Sequence, residues 1–409
     1  MTLEYTVLIV GYIFGFYMAW NIGANDAANA MASAVGAKAI TLRQAVFIAG
    51  ILNVVGAIFI GSHVTETIRK GIISPDVLAD ERVILIGALS ALMAAAFWVF
   101  FSTWKSLPVS TTHSIVGAML GFGIVAGGFS AVNWITLGAI VASWIISPIF
   151  AMILAFGIFK IIYRFILIRD NLFDRAIRLS PYFVGVTSFI IVLSFLFKTP
   201  LGKKMELGTF SAIGVGVILA AIIGCLGRFF LQRYTKKKGE EGVEDIFKHL
   251  QIGTACYVAL SQGANDVANA IGPLAVIYFV VKTGSIGGEV AVPVFLLIFG
   301  GIGIACGISM WGYRVIETVG TKITTLTNTR GFAVEFGAAT TVLIASKLGL
   351  PVSTTHAAVG SVIGVGLARG IEAVNFRIVF KIMLYWVITV PAAAITSMTI
   401  YKILSVIFL

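Results

Sequence analysis

Long apolar segments separated by short polar stretches extend along the whole chain. About twelve are present, near residues 5–36, 43–62, 83–104, 107–126, 131–166, 182–197, 209–231, 252–280, 291–312, 332–348, 351–368 and 376–408. Many approach the roughly 20 residues that a helix needs to cross the hydrocarbon of a bilayer. Of the 409 residues, 59% are hydrophobic and 11% are charged, whereas about a quarter of the residues of a soluble domain are charged. The pattern predicts an all-α polytopic membrane protein.

Two polar motifs interrupt this pattern, and each occurs twice in the same order. GANDAANA at residues 23–30 returns as GANDVANA at residues 263–270, with seven of eight positions identical. PVSTTH at residues 108–113 returns unchanged at residues 351–356. The two motifs begin 85 residues apart in the first half and 88 residues apart in the second. The matched order and spacing indicate an internal duplication.

The distribution of basic residues predicts how the two halves are oriented. Basic residues cluster between positions 160 and 178 and again between positions 228 and 238, with two apolar segments separating the clusters. Both clusters therefore lie on one side, which the positive-inside rule assigns to the cytoplasm. Each half then has an odd number of crossings: three if the segments around PVSTTH form a re-entrant hairpin, five if both cross. In either case the halves are inverted relative to each other.

We therefore divide the chain into three parts. These are a first inverted repeat at residues 1–168, a central helix pair with a cytoplasmic loop at residues 169–248, and a second inverted repeat at residues 249–409. Inverted repeats with broken helices and re-entrant hairpins are common in secondary transporters. The first apolar segment of each half is long and contains the GAND motif, so we expect a break or bend near Gly23 and Gly263.

The net charge of +11 raises the question of nucleic-acid binding. The basic residues lie in short loops between apolar segments, as membrane topology alone would produce, so we expect no nucleic-acid partner. Cys225, Cys256 and Cys306 lie inside apolar segments without metal-ligand spacing, which favours a packing role. No cofactor is predicted.

The PVSTTH motifs have the chemistry of an anion site. Pro108 and Pro351 fit the first turn of a helix, and hydroxyl side chains near a helix start can cap it. The free backbone N–H groups of a first turn, with the positive end of the helix dipole, bind anions. The alternative is that the hydroxyls bond to carbonyls one turn back, as in many membrane helices. Six hydroxyls in two copies suit a tetrahedral oxyanion: Ser110, Thr111, Thr112, Ser353, Thr354 and Thr355.

The GAND motifs have the chemistry of a site for a hard cation. A carboxylate at bilayer depth is costly, so it normally faces a cavity, a bound ion or a partner. Carboxylate and amide oxygens favour hard cations over soft ones. The alternative, an asparagine ladder that packs helices together, does not explain a duplicated buried aspartate. The candidate sodium ligands are Asn25, Asp26, Asn29, Asn265, Asp266 and Asn269.

The two kinds of site complement each other in charge. A phosphate dianion in the membrane needs positive charge, and neither motif contains Lys or Arg, so co-bound cations would supply it. Asp26 and Asp266 can accept a hydrogen bond from the proton of phosphate, which sulfate lacks, and leaving that pairing unmade is costly. His113 and His356 are candidates for a proton relay, with a structural role as the alternative. Glu335, an acid inside an apolar segment, is a candidate further ion ligand.

GANDxANA followed by PVSTTH, both present twice, resembles the inorganic phosphate transporter family of secondary transporters. The resemblance covers the whole length, with Ala27 in the first copy and Val267 in the second as a small departure. It implies cation-driven uptake of orthophosphate, with sodium or protons as the driving ion. It also implies that Asp26, Asp266 and the Ser/Thr tips form a central phosphate and ion site in a homodimer. The short central loop at residues 233–248 is typical of a prokaryotic protein, so we expect a multi-pass protein of the cell inner membrane.

Two other classes of protein were weighed. An intramembrane aspartyl protease would also bury two aspartates, but it would not need two identical hydroxyl-rich hairpins, and its Gly-x-Gly-Asp context is absent. A channel could be lined by similar groups, but inverted halves favour alternating access. We therefore predict a transporter and not an enzyme: a sodium-coupled phosphate symporter, with proton coupling or sulfate as the alternatives. The expected partners are phosphate, sodium and membrane lipid.

Overall fold

The computed structural model describes residues 3–62, 65, 68, 72, 80–198, 202, 205–235, 237–284, 292–316, 323–348 and 350–408. These residues form twelve long α-helices and contain no β-strand. Nine helices of this described part are long and apolar enough to cross a membrane, which confirms the predicted all-α polytopic membrane fold. The helices are α1 (Leu3–Gly36), α2 (Leu42–Ile60), α3 (Glu81–Trp104), α4 (Thr111–Gly127), α5 (Trp134–Ile162), α6 (Leu172–Lys198), α7 (Thr209–Tyr234), α8 (Gly239–Thr283), α9 (Val294–Trp311), α10 (Asn328–Lys347), α11 (Thr354–Arg369) and α12 (Phe376–Phe408).

Several helices begin where the sequence supplies a capping side chain. Thr41 and Gln44 form a capping box at the start of α2, and the Asp80 side chain accepts the backbone N–H of Arg82 at the start of α3. Such caps satisfy N–H groups that have no partner inside the helix. The two helices therefore start within a few residues of the predicted apolar segments.

The two helices that contain the GAND motifs run through them without interruption. Helix α1 is a single helix of 34 residues and α8 a single helix of 45 residues. Of the break or bend expected near Gly23 and Gly263, the break is therefore not present. The alanines in and around each motif favour helix, and the two glycines serve contacts between helices.

These glycines let helix backbones of the two repeats touch. A Cβ atom at Gly23 would lie 1.9 Å from the carbonyl oxygen of Ile304 on α9. At the matching place, a Cβ atom at Gly263 would lie 2.2 Å from the carbonyl oxygen of Asn53 on α2. Small residues at helix interfaces permit the close packing that holds membrane helices together. Helix α1 of the first repeat therefore packs against α9 of the second, and α8 of the second repeat packs against α2 of the first.

Helices α1 and α8, which correspond in the two halves, are antiparallel. A Cβ atom at Gly11 would contact Ile277, and further along α1 the carbonyl oxygen of Asp26 accepts a hydrogen bond from Gln262 Nε2 at 2.9 Å. Residue numbers in contact therefore rise along α1 as they fall along α8. Corresponding helices that point in opposite directions are what inverted repeats require.

The helix pairs α3–α4 and α10–α11 are re-entrant hairpins. The chain leaving each pair meets the chain entering it: Asn133 N donates to Ile72 O at 3.0 Å, and Asn375 N donates to Ile323 O at 3.1 Å. Both ends of each hairpin therefore lie on one side of the molecule, with the PVSTTH tip inside it. Because the two tips are buried and hydrogen-bonded to each other inside the molecule, each hairpin turns back before it crosses, which favours three crossings per half over five. Helix α3 is long enough to span a membrane, but it forms one arm of a hairpin.

The inner arm of each hairpin lies against a helix of the other repeat. Added Cβ atoms at Gly117 and Gly121 of α4 would contact the backbone of Val390 and Ala394 on α12. On the other side, Gly360 of α11 lies in the same way against the backbone of α5. Each hairpin tip is therefore supported by the opposite repeat.

Gly307→Ala is expected to destabilise the protein, because the added methyl group would lie 1.8 Å from the carbonyl oxygen of Trp20. Overpacking of this kind typically costs about 1–3 kcal/mol. Gly157→Ala on α5 is the matched control, since an added Cβ there meets no atom within 4 Å. The measurement is the temperature at which half of the detergent-solubilised protein loses its monodisperse size-exclusion peak. Equal midpoints for the two variants would contradict the close contact.

Candidate functional site

The tips of the two hairpins meet in the centre of the molecule. Thr112 Oγ1 of the first tip donates to the carbonyl oxygen of Val352 in the second, at 3.2 Å. Thr355 Oγ1 lies at the same distance, 3.2 Å, from the carbonyl oxygen of Val109. This exchange relates the two tips by a pseudo-twofold axis. The structure brings together every predicted site residue except Glu335.

Each tip presents the start of a helix to the centre. Ser110 Oγ accepts the backbone N–H of His113 at 3.1 Å, and Ser353 Oγ accepts that of His356 at 3.2 Å. These serines are the N-caps of α4 and α11. The N–H groups of the first helical turn have no acceptor inside the helix. Two helix N-termini with free donors therefore point at one place.

The prolines of the tips lie outside the helices. Pro108 and Pro351 precede the capping serines by two positions, whereas the sequence analysis placed them in the first helical turn. The side-chain cap made by each serine sets the helix start at the next residue. The prolines instead belong to the short connections between the two arms of each hairpin.

Asp26 accepts hydroxyl groups from both tips. Thr111 Oγ1 donates to Asp26 Oδ2 at 2.7 Å, and Thr355 Oγ1 donates to Oδ1 at 3.3 Å. Asn29 Nδ2 donates to the same Oδ1 at 3.2 Å. The Asp26 side chain is completely buried. The carboxylate thus joins α1 to the tips of the two hairpins.

Asp266 has the corresponding environment in the second repeat. Thr354 Oγ1 donates to Asp266 Oδ2 at 3.1 Å, and Asn265 Nδ2 donates to Oδ1 at 2.8 Å. This side chain is also completely buried. Among the described residues, no lysine or arginine forms an ion pair with either aspartate. The negative charge is held only by neutral donors, so a bound cation would stabilise it.

Asn29 and Asn269 connect each GAND helix to the tip of the other repeat. Asn29 Nδ2 lies 3.1 Å from Thr354 Oγ1 and 3.0 Å from Thr355 Oγ1. Asn269 Nδ2 lies 3.2 Å from each of the two threonine hydroxyls at the start of α4. Thr111 and Thr354, which correspond in the two tips, therefore each have an aspartate and an asparagine beside them.

Asn25 and Asn265 differ in how much of the side chain is engaged. Asn25 Nδ2 donates to Thr103 Oγ1 at 2.9 Å and to the carbonyl oxygen of Leu107 at 3.0 Å, while Oδ1 accepts the N–H of Val109 at 3.2 Å. Asn25 thereby ties α1 to the first hairpin tip. The Oδ1 atom of Asn265 has no hydrogen-bond partner, so this oxygen is available to a ligand.

Several other buried oxygen atoms on α8 lack a partner in the described structure. They are Ser261 Oγ, Gln262 Oε1 and Asn269 Oδ1. A buried polar atom without a partner is costly. Hard cations prefer such neutral oxygen ligands together with carboxylates. The donor set around Asp266 therefore fits a sodium ion.

His113 and His356 lie side by side on the pseudo-twofold axis. Their ring centroids are 4.4 Å apart, and each ring packs against a tryptophan, Trp144 for His113 and Trp386 for His356. His113 Nδ1 lies 3.2 Å from the carbonyl oxygen of Trp386, and His356 Nδ1 lies 3.1 Å from that of Trp144. Because a carbonyl only accepts, each Nδ1 carries the proton. The contacts brace both tips against the opposite repeat, while a proton-relay role stays a prediction.

A proline explains one of these carbonyl contacts. Trp144 lies four residues before Pro148 in α5, and Pro148 has no N–H to donate to that carbonyl. The carbonyl oxygen of Trp144 is therefore free to accept from His356.

Glu335 lies in a separate cluster away from the tips. Ser33 Oγ and Thr254 Oγ1 donate to its carboxylate, the latter at 2.6 Å, and Gln251 Nε2 approaches at 3.5 Å. Glu335 is 1% exposed. Ser33 lies seven residues beyond Asp26 on α1, a rise of about 10 Å. The carboxylate therefore defines a second buried acidic site at a different depth.

The partners of Glu335 were not among the site residues predicted from the sequence. Ser33, Gln251 and Thr254 come from two helices that only the fold brings together. Gln251 and Thr254 are three apart in a predominantly apolar segment, so they share a helix face. This polar pair was the only local signal that could have indicated the cluster.

Two inverted halves and two re-entrant hairpins that meet at buried acids define a polytopic protein with the architecture of a secondary transporter. The model of the phosphate transporter family matches residues 22–397. The chain belongs to this family.

Relatives and a solved structure agree with that assignment. A protein of Thermococcus kodakarensis that is named as a phosphate permease is 50% identical over 404 residues, covering 98% of each chain. A chloroplastic inorganic phosphate transporter of Arabidopsis thaliana is 44% identical over 407 residues, covering 93% of this chain and 69% of its own. A solved structure described as the sodium-dependent phosphate transporter has a TM-score of 0.92 and 45% identity, over 98% of this chain and 100% of that chain.

His113→Phe is expected to destabilise the protein by about 1–3 kcal/mol, because it keeps a ring beside Trp144 but leaves the carbonyl oxygen of Trp386 without its donor. His356→Phe should destabilise the protein similarly, because it leaves the carbonyl oxygen of Trp144 without its donor. His249→Phe is the matched control, since His249 Nδ1 also contacts a backbone carbonyl, that of Asp245 at 2.8 Å, but is exposed. Thermal unfolding of the purified variants measures the effect. A loss at His249 as large as at His113 would rule out a bracing role for the buried pair.

Proposed function

We propose that this protein carries orthophosphate together with sodium across the membrane by alternating access. The observation that carries the proposal is the meeting of the two hairpin tips. Threonine hydroxyls, two helix N-termini and two buried carboxylates lie close together there, in the centre of the molecule. A tetrahedral oxyanion needs hydrogen-bond donors from several directions, and helix N-termini with hydroxyl caps provide them. The phosphate ligands are Asp26, Asp266, Ser110, Thr111, Thr112, Ser353, Thr354 and Thr355.

The hydroxyls and carboxylates of the site would exchange partners when substrate enters. In the structure Thr111, Thr354 and Thr355 donate to Asp26 or Asp266. A hydroxyl can rotate to donate to a phosphate oxygen instead. The carboxylate oxygens released in this way would coordinate sodium or accept the proton of phosphate. Binding of anion and cation would therefore favour each other.

Sodium is the preferred coupling ion because the site is rich in fixed oxygen atoms. The GAND aspartates and asparagines supply carboxylate and amide oxygens, and several amide and hydroxyl oxygens on α8 have no partner. Sodium ions would also compensate the charge of phosphate, since no described basic side chain pairs with the aspartates. The similarity to a sodium-dependent phosphate transporter supports the same choice. Proton coupling is the alternative, because the same carboxylates could carry protons.

The arrangement of the repeats supports transport by alternating access. Inverted repeats allow one half to move against the other, so that a central site opens to each side in turn. The side that carries Lys160 and the start of α8 would be cytoplasmic by the positive-inside rule. We expect a multi-pass homodimer in the cell inner membrane, divided at residues 1–168, 169–248 and 249–409 as the sequence suggests.

Uptake of labelled phosphate into proteoliposomes tests the proposal, with a sodium gradient and a proton gradient imposed separately. Asp26→Asn and Asp266→Asn should each lower sodium-driven uptake about tenfold or more, since a hydrogen bond to a charged group is worth about 1.5–3 kcal/mol. Asp174→Asn is the matched control, because Asp174 is exposed near the start of α6.

The same assay separates the alternatives. Accumulation driven by protons alone would replace sodium coupling and direct attention to His113 and His356. Absence of phosphate uptake under both gradients would overturn the substrate, and sulfate would then be measured. Equal losses in Asp174→Asn and Asp26→Asn would overturn the site.

Glu335→Gln tests whether the second acidic site holds a coupling ion. Removal of the charge should raise the sodium concentration for half-maximal uptake about tenfold, equivalent to about 1.4 kcal/mol, because the amide binds a cation less well than the carboxylate. Glu372→Gln on the exposed connection after α11 is the control. An unchanged sodium dependence in Glu335→Gln would contradict an ion-binding role.

A further inference from the structure

A cavity of about 850 Å³ opens where the end of α5, the starts of α8 and α10, and the end of α11 come together. Three basic side chains from three different helices line it: Lys160 of α5, Arg330 of α10 and Arg369 of α11. We call it the basic cavity. Arg369 lies fifteen residues beyond Thr354 on α11, a rise of about 22 Å, so the basic cavity is distinct from the site at the hairpin tips.

The two arginines of the basic cavity converge on one threonine. Arg330 Nη1 donates to the carbonyl oxygen of Thr325 at 3.1 Å, and Arg369 Nη1 donates to Thr325 Oγ1 at 3.0 Å and to the same carbonyl oxygen at 3.5 Å. Their guanidinium groups are therefore neighbours and repel each other. Each guanidinium carries five N–H donors, and most of these are not used by Thr325.

The carboxylates that line the basic cavity are committed elsewhere or unpaired with these cations. Glu244 accepts the backbone N–H of Thr329 at 3.2 Å and its hydroxyl at 2.8 Å, which caps the start of α10. Glu241 pairs with Lys237 at 3.1 Å. Among the described residues, no carboxylate forms an ion pair with Lys160, Arg330 or Arg369. Glu240 also lines the cavity, so its lining holds three acidic and three basic side chains. Because none of these acids pairs with the two arginines, the unused guanidinium N–H groups can bind an anion.

The duplicated fold does not require these arginines. Counted from the PVSTTH motifs, the first-half counterparts of Arg330 and Arg369 are Gly87 and Ala126. The hairpin therefore forms in the first repeat without either charge. A cavity at the start of α3, beside the end of α8, is lined by Glu4, Asp80 and Glu81 and by one basic residue, Arg82. Two arginines from different helices therefore line the first cavity and not this one.

We propose that the basic cavity binds a phosphate group through Arg330, Arg369 and Lys160. The planar guanidinium matches two phosphate oxygens at once, and two adjacent guanidiniums with an ammonium suit a dianion. The phosphate group comes either from free orthophosphate or from the headgroup of an anionic lipid, because Phe159, Leu167 and Ile168 line the same cavity with apolar surface. Both sources present the same oxygens to the same three side chains.

The first test measures equilibrium binding of labelled orthophosphate to the purified full-length protein. The background is the double variant Asp26→Asn/Asp266→Asn, which disables the central site. Adding Arg330→Gln and Arg369→Gln should weaken the residual binding about tenfold or more. Arg377→Gln is the matched control, since Arg377 lies in the first turn of α12 close in sequence to Arg369 but does not line the basic cavity. Because the central site is disabled, a failure of the proposed transport function would not alter this result.

The second test uses phosphatidylglycerol in mixed micelles, with retained lipid counted by native mass spectrometry. Lipid retained by the native chain and by Arg377→Gln, but lost in Arg330→Gln/Arg369→Gln, would assign the headgroup as the source. Residual orthophosphate binding that is likewise lost in Arg330→Gln/Arg369→Gln, but kept in Arg377→Gln, would assign free orthophosphate as the source of the phosphate group. The variant Arg330→Lys/Arg369→Lys keeps the charge and should retain part of the binding, which separates a lost ligand from misfolding. If the arginine variants match Arg377→Gln in both tests, the proposal is overturned.

Discussion

Negative charge buried without a basic partner is the constraint on which this structure depends. Asp26 and Asp266 lie fully inside the protein, and their neighbours are hydroxyl and amide donors. Isolated charge in a medium of low dielectric constant is strongly disfavoured. Neutral donors reduce this cost but do not cancel the charge. Under the proposed function, cations that enter the site would stabilise it, which is the property that a cation-coupled carrier of an anion requires.

The site exists only because the two repeats interpenetrate. Asn29 of the first repeat contacts the threonines of the second tip, and Asn269 of the second contacts those of the first. His113 and His356 extend the exchange to the helices behind the tips. Neither repeat alone contains all of the side chains that meet at the tips. Under the proposed function, relative movement of the two halves would therefore change the ligands of substrate and ion together.

The charged residues that occur in only one repeat lie at a different depth from the hairpin tips, where the two repeats match. Counted from the PVSTTH motifs, the first-half counterpart of Glu335 is Leu92, and the counterparts of Arg330 and Arg369 also lack charge. The shared fold holds the central site, while the second repeat adds an acidic cluster and a basic cavity towards one end. A carrier with identical ends would have no structural basis for treating its two sides differently. These added charges supply one.

The sequence alone determined the membrane class, the duplication and the inversion, and it predicted the residues that the structure gathers at the hairpin tips. Hydrophobicity over about 20 residues is a local property, and two repeated motifs reveal pairing without any coordinates. It left the hairpin topology open and suggested a break or bend at Gly23 and Gly263, where the structure has no break, because a glycine has the same local signature whether it interrupts a helix or admits a neighbour. Only the tertiary structure decided that these glycines receive backbones of other helices. Only the tertiary structure also placed Ser33, Gln251 and Thr254 around Glu335, since contacts between residues tens to hundreds of positions apart depend on helix packing that no local pattern encodes.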